Sequence, residues 1–436
     1  MINKKLLLVL LLGFLVSINP GAKENNGVVS NKFVAGNVRL INSSSMGSEF
    51  SAIDKAIGSF QHKWSINGVS VAIAKDGKLV FARGFGYADS SLKTETQPFN
   101  KFRIASVSKL VTAVAIMKLR EEGKLSLQDH VFGPDGILND SYFDNPKDKR
   151  VYSITVEHLL SHEGGWTQRY GDQMFMPIVI AEKMGVPTPV DTKTIVRFAL
   201  DKRLHYTPGM GHSYSNLGYS ILGLVVEKVS GVSYEEYCHK AIFEPLGIYD
   251  MAIGGNLESD RAPFEVTYYE PKDAGMKPSI YNHDEMCLAC YGGNDITTLG
   301  SAGGWIATAP DLMKLLLAVD GFNTRPDILN PESIGLMTTN ENGAAPLGWK
   351  SILKNGTWWR TGYFPGTTAM LKRQPDGYSW VVLCNTSSWN GPEIYSYINN
   401  MMTKIFNQPI AWPDYDLFSL SLPVPLKTAP LAGYPG

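Results

Sequence analysis

The sequence is poor in cysteine, has no surplus of either charge, and contains only one long apolar run. Its 436 residues include four cysteines, Cys238, Cys287, Cys290 and Cys384, too few to build a disulfide-dense scaffold. Cys287-Leu288-Ala289-Cys290 forms a C-x-x-C with His283 nearby. A zinc site would need a second ligand pair at suitable spacing, and none is visible. A redox role would need a thioredoxin-like setting, which is also missing. Unpaired thiols are therefore expected first, a local disulfide second and a metal third. Lys and Arg number 40 against 41 Asp and Glu, a formal net charge of −1. No basic run occurs beyond the N-terminus, which argues against nucleic acid as a partner. Internal repeats and low-complexity tracts are absent.

The apolar run, Leu6 to Val16, follows Lys4 and Lys5. It is short for a bilayer span and suits the h-region of a secretory signal peptide, so residues 1–22 are expected to be a targeting segment. The alternative is an uncleaved N-terminal anchor. Ser17 to Ala22 offers no clean small-x-small cleavage site, and no cysteine follows the run to suggest a lipoprotein. Export to the periplasm or the medium is the expectation, with no stable membrane span further along. Residues 23–48, rich in Asn, Ser and Gly, are expected to be a linker. Residues 49–410 carry the folded domain, and 411–436 form a Pro-rich tail along its surface.

Within that domain Phe50 to Trp64 has the pattern of an amphipathic helix. Strands follow at Val69–Ala74 and Lys78–Gly86, joined by the hairpin signal Asp76-Gly77. A long helical pattern runs from Ser108 to Glu122, closed by Gly123. Thr155 is placed to cap a short helix through Leu160. Residues 166–190, with Trp166, Tyr170, Met174, Phe175, Met176 and Met184 among several prolines, read as a long loop or helical insert that either shapes a substrate pocket or packs against the core. Further helices are expected over 192–202, 217–229, 234–243 and 310–319, whereas 253–300 reads as irregular. Strands return at Thr357–Arg360, Thr367–Arg373 and Tyr378–Cys384, before a closing helix from Glu393 to Phe406. Strands at both ends with helices between them predict an α+β fold, an antiparallel sheet flanked by terminal helices, with a mostly helical lobe over roughly 125–300.

Ser106 stands at the head of the Ser108 helix, with Lys109 three residues on and on the same face. A hydroxyl beside an amine, near the positive end of a helix, is a workable nucleophile. The spacing alone is weak, since Ser90–Lys93 and Ser351–Lys354 repeat it in turn-like contexts. Two further motifs follow in order: Tyr214-Ser215-Asn216 and Arg360-Thr361-Gly362. A second Y-x-N, Tyr397–Asn399, falls in the closing helix without such context.

The ordered set resembles the serine β-lactamase and penicillin-binding-protein-like family, on its class C branch. The connecting Leu159-Leu160-Ser161-His162, Tyr206-Thr207-Pro208-Gly209, Pro245-Leu246-Gly247 and Gly303-Gly304 extend the likeness over residues 50–405. The resemblance implies a β-lactamase/transpeptidase-like fold with the active site between the lobes. It implies that Ser106 forms an acyl-enzyme, that Lys109 and Tyr214 share the proton transfers, and that Asn216 orients Lys109 and the substrate. Which of Lys109 and Tyr214 takes the first proton stays open. Arg360, Thr361 and Gly362 would line the cleft, Gly362 letting the substrate backbone approach. The N–H groups of Ser106 and Tyr363 would form the oxyanion hole. No metal or organic cofactor is implied.

Arg360 departs from the usual Lys or His of that motif. A guanidinium suits a bidentate grip on carboxylate, so a substrate with a carboxylate near the scissile bond is expected. The alternative is a structural ion-pair role. The departure also argues against an efficient β-lactamase. The Trp-, Tyr- and Met-rich stretches at 166–176 and 358–363 predict a roomy, apolar cleft. The expected activity is hydrolysis of an ester, amide or peptide through Ser106. One alternative is acyl transfer, with a bulky apolar alcohol as acceptor. Another is a sensor that binds acyl groups without turnover.

Overall fold

The computed structural model describes residues 39–339 and 345–419, so the signal-peptide expectation lies outside the described residues. Helix α1 (Ser51–Trp64) leads into strands β1 (Gly68–Lys75) and β2 (Lys78–Asp89), and then to helix α2 (Ser108–Glu121). Helices α3 (Asn216–Ser230), α4 (Ile296–Gly303) and α5 (Ala309–Leu317) follow. Strands β3 (Trp358–Phe364), β4 (Thr367–Arg373) and β5 (Tyr378–Cys384) complete the sheet, and helix α6 (Ile394–Phe406) closes the chain. The sheet has seven strands, ordered Thr94–Glu95, β2, β1, β5, β4, β3 and Ser351–Ile352. The first hairpin therefore pairs with the last strand, Val71 opposite Val382, and the neighbours are antiparallel.

Period-two alternation in β1 supplies two buried faces. Val69, Val71 and Ile73 pack with Ile53, Ile57 and Phe60 of α1 and Ile398, Met402 and Ile405 of α6. Ala72 and Ala74 point the other way, into the larger core that holds α2, α3 and α5. Each fully buried Val or Ile contributes about 1.5–3 kcal/mol to that packing. Asp76 (φ 50°) and Gly77 (φ 78°) both take the left-handed conformation that a two-residue hairpin needs.

Helix α2 is apolar almost all round and buried from Ser108 to Met117. Such a helix belongs at the centre of a core, and α2 packs against both α3 and α4. Between α2 and α4 lies the mostly helical part, with short helices at Val156–Leu160, Pro177–Met184, Thr192–Leu200 and Tyr234–Cys238. The α+β expectation holds in this form.

Several local expectations are corrected. The stretch 253–300 is less irregular than its composition suggests: Ala252–Ile253 pairs with Trp305–Ala307, Lys277–Pro278 pairs with Met286–Cys287, and α4 begins at Ile296. The helix at 234 changes pitch to a π turn over His239–Phe243. Strand β3 runs past Arg360 to Phe364. Of the expected linker, residues 39–48 are packed: Asn42 bonds the backbone of Thr96 and Gly84, and Ser45 is buried against β2. Of the expected tail, residues 411–419 are docked, with Asp416 held by Arg325 and Leu417 buried. All four cysteines are unpaired, and three are buried. Among the described residues no helix is long and apolar enough to cross a membrane.

Candidate active site

Ser106 does not open α2. It sits in a 3-10 turn, Ala105–Val107, that leads into it, and Ala105 is held at φ 45°. A left-handed alanine is a strained conformation that the surroundings must enforce, and such strain gathers at functional sites. Strand β3 is the enforcing neighbour. A Cβ on Gly362 would lie 2.1 Å from the Ile104 carbonyl oxygen and 3.0 Å from the Ser106 nitrogen. The close approach that needs this glycine is thus between β3 and the protein's own Ser106 turn, rather than between β3 and a substrate backbone.

Lys109 lies in the first turn of α2 and is fully buried. Its Nζ donates to Asn216 Oδ1 at 2.7 Å, to the Ala302 carbonyl at 2.5 Å and to Ser106 Oγ at 3.4 Å. Three acceptors meet three ammonium protons, which offsets part of the cost of burying a cation. The Ala302 carbonyl belongs to the last turn of α4, where carbonyls lack helical partners and the helix end is negative. Burial, followed by the Arg360 charge, still lowers the Lys109 pKa, against the opposing pull of Tyr214 and Asp172.

Ser215 caps α3, its Oγ accepting from the Gly218 nitrogen at 2.9 Å. That cap sets Tyr214 just outside the helix and Asn216 at its first position. The Tyr214 hydroxyl donates to Ser106 Oγ at 2.7 Å. Its ring lies 4.6 Å from that of His162. His162 is buried at φ 64°, and its Nδ1 accepts from the Ser215 nitrogen at 3.2 Å. Burial, followed by the Arg360 and Lys109 charges, holds this imidazole well below its usual pKa, so it stays neutral and serves as an acceptor. The Leu159–His162 segment thus braces the Tyr214–Asn216 segment.

Arg360 occupies a different role from the one expected. It is 1% exposed, and each of its three nitrogens donates to the protein. Nε donates to the Ser106 carbonyl at 2.8 Å, Nη1 to the Trp349 carbonyl at 3.2 Å and Nη2 to the Tyr214 oxygen at 3.3 Å. Buried and tied at every nitrogen, the guanidinium presents no exposed fork to a substrate carboxylate. What remains is a fixed charge aimed at a phenol. Two neighbouring tyrosines, the half-buried Tyr214 just before α3 and the buried Tyr219 within it, both feel that charge, and Tyr214 feels the Lys109 charge more strongly still. Burial drives Tyr219 up to about 12, and its hydroxyl donates to the Leu160 carbonyl. Burial also pushes Tyr214 upward, but the Lys109 and Arg360 charges outweigh it and bring Tyr214 down to about 8. Opposite shifts in neighbouring groups of one kind separate a reactive residue from a structural one.

Thr361 and Tyr363 alternate with Arg360 along β3 and point to its other face. Thr361 lies beside the Tyr395 hydroxyl, and the Tyr363 hydroxyl donates to the Ser388 carbonyl at 2.9 Å. The expected aromatic cleft is met only in part: Trp166 and Met174 are buried and Trp358 packs on Trp349 and Arg373, whereas Tyr170 is exposed. Phe175 does stand partly exposed, its ring 6.0 Å from that of Phe364 on β3. Ser90 lies in the turn after β2, Ser351 on an edge strand and Tyr397 in α6, so the duplicate motifs take no part.

Three residues that sequence reasoning passed over belong here. His162 had only its place in a connecting motif to mark it. Asp172 accepts from Asn216 Nδ2 at 2.7 Å. Lys350, exposed at the N-terminal side of the Ser351 edge strand, puts its Nζ 5.7 Å from the centre of the Tyr214 ring. Neither Asp172 nor Lys350 carried a sequence signal, because each reaches the site from a loop. Among the described residues no group of three His, Cys, Asp or Glu could hold a metal.

The fold and this serine-lysine-tyrosine cluster agree with the matched family: the Beta-lactamase family model covers residues 53–400, and the chain belongs to that family of serine hydrolases. Protein flp of Staphylococcus aureus (strain N315) is 26% identical over 355 residues, spanning 80% of this chain and 66% of that protein. The match thus spans just under two thirds of that relative's length. Among solved structures, the octameric penicillin-binding protein homologue from Pyrococcus abyssi is similar with a TM-score of 0.60 and 25% identity, covering 83% of this chain and 78% of that one. EstCE1, described as a hydrolase with promiscuous acyltransferase activity, has a TM-score of 0.61 at 20% identity, covering 82% and 98%.

Proposed function

We propose that the protein hydrolyses an ester or amide through an acyl-enzyme on Ser106, with Tyr214 as the proton acceptor. The observation that carries this reading is the 2.7 Å contact between Tyr214 and Ser106 Oγ, with the phenol drawn to about 8 by two cations. Lys109 makes the longer contact, 3.4 Å, and its other two protons are committed. It acts here as an ammonium that stabilises the Tyr214 phenolate. The Ser106 proton passes to Tyr214 as Oγ bonds the acyl carbon. Tyr214 then returns a proton to the leaving oxygen or nitrogen as that bond breaks. Water reverses the sequence and frees the acid. The backbone N–H groups of Ser106 and Tyr363 suit an oxyanion hole, because Gly362 lets β3 close onto the Ser106 turn.

The same intermediate would pass its acyl group to a bulky apolar alcohol that displaced water. The described activity of EstCE1 favours keeping this second reading, with the exposed Phe175 as an apolar contact. With Arg360 withdrawn from substrate binding, Lys350 is the exposed cation placed to meet a substrate carboxylate. Export of the chain remains part of the proposal, resting on Lys4, Lys5 and the apolar run; fractionation of expressing cells checks it.

A fluorophosphonate probe together with a panel of short esters, D-alanyl peptides and nitrocefin tests the reading. Labelling lost in Ser106→Ala, with ester or peptide turnover exceeding nitrocefin turnover, is the expected result. Labelling without turnover would identify an acyl sensor instead. Product on an added alcohol in excess of free acid would identify a transferase.

A further inference from the structure

Asn216 has two chemically distinct ends, and the site needs them one way round. Its Oδ1 receives Lys109 Nζ at 2.7 Å, so its Nδ2 must face the opposite side. There it meets Asp172 Oδ2, also at 2.7 Å. A flipped amide would set N–H against the ammonium and oxygen against the carboxylate, two repulsive contacts in a buried setting. The carboxylate is itself held. Its Oδ2 also accepts from Gln168 Nε2 at 2.7 Å, and its Oδ1 accepts from the Met174 nitrogen at 3.0 Å, capping the Gln173–Phe175 turn. None of these partners is a cation, so the negative charge of Asp172 is left to act on the ammonium behind Asn216.

We infer that Asp172 is a positioning residue of the active site, locking the Asn216 amide and through it the Lys109 amine. The inference rests on the acyl-enzyme reading above. It gives the 166–190 segment a second task beside shaping the cleft: it returns one carboxylate to the proton-transfer cluster. It also limits substrate recognition, because one of the two Asn216 N–H groups is already spent.

Lys109 is faced by Ser106 from the 3-10 turn, by Tyr214 and Tyr219 from the α3 region, by Arg360 from β3, by His162, and by Asp172 from the insert. Among the charges acting on it, the Asp172 carboxylate favours the ammonium and Arg360 opposes it. Removing the carboxylate should let the ammonium deprotonate at lower pH.

Two variants separate positioning from folding. Asp172→Asn keeps the shape and removes the charge. Asp172→Ser keeps an acceptor for the Met174 nitrogen but does not reach Asn216. Both are expected to lower kcat for a small neutral ester, and the rate of fluorophosphonate labelling, by about tenfold, the worth of one hydrogen bond to a charged group. KM should stay unchanged, and the alkaline limb of the pH profile should move to lower pH in Asp172→Asn. Full activity in Asp172→Ser would reduce Asp172 to a turn cap and overturn the inference, as would an unshifted alkaline limb in Asp172→Asn. Failure of the unmodified protein to be labelled at Ser106 would instead overturn the acyl-enzyme reading, and this inference with it.

Discussion

The Arg360 guanidinium donates to the Tyr214 oxygen at 3.3 Å while its other two arms are tied to the Ser106 and Trp349 carbonyls. The residue is thereby locked to the nucleophile turn and to the phenol at once. The structure turns an expected substrate anchor into a fixed charge that tunes a proton acceptor.

Arg360→Gln should therefore change the pH profile before it changes KM. Tyr214 lies near 8 because cations favour its phenolate. On the reading that the phenolate accepts the Ser106 proton, activity rises as pH climbs through that value. Withdrawing one cation raises the pKa, so the acid limb should move upward by about one pH unit, equivalent to tenfold at neutral pH. The pH dependence of kcat/KM on a small neutral ester checks this. Loss of stability should accompany the shift, because two buried carbonyls lose a donor, a cost of about 1–3 kcal/mol each.

Tyr214→Phe should preserve the ring contact with His162 and remove the proton path. A fall in kcat of about 10²–10⁴, the usual range for a general acid–base group, is expected with little change in Tm. Single-turnover acylation measures it directly. A variant retaining most of its acylation rate would shift the proton acceptor to Lys109.

Gly362→Ala places a methyl 2.1 Å from the Ile104 oxygen. Strand β3 or the Ser106 turn must then move, at a cost of about 1–3 kcal/mol for an overpacked contact. Denaturant unfolding should show the loss, and labelling of Ser106 should slow.

Lys350→Ala tests the substrate charge. KM should rise a few-fold for a carboxylate-bearing ester and stay constant for its neutral analogue, since exposed ion pairs contribute modestly and are screened by salt. Equal KM changes for both esters would remove Lys350 from substrate recognition.

The strands, the two terminal helices and α2 were legible because periodicity and turn chemistry are local: Asp76-Gly77 between β1 and β2, and the apolar run of α2, carry their own signals. The stretch 253–300 was not, since its short strands are made by pairing with Trp305–Ala307 and with each other rather than by propensity. Apolar side chains posed a related difficulty, because Trp166, Met174 and Trp358 look alike in sequence whether they line a cleft or fill a core.

By itself the sequence determined the chemical parts: Ser106 and Lys109 three residues apart at a helix start, Tyr214 and Asn216 at another, and Arg360 and Gly362 on a strand. The first two pairings each lie within three residues at the entry to a helix, so local order suffices. Only the tertiary structure decided what Arg360 does, which end of Asn216 meets Lys109, and that Asp172 stands behind it. Those outcomes depend on distances between side chains more than forty residues apart, and on burial that lets nearby charges outweigh the cost of desolvating a phenol.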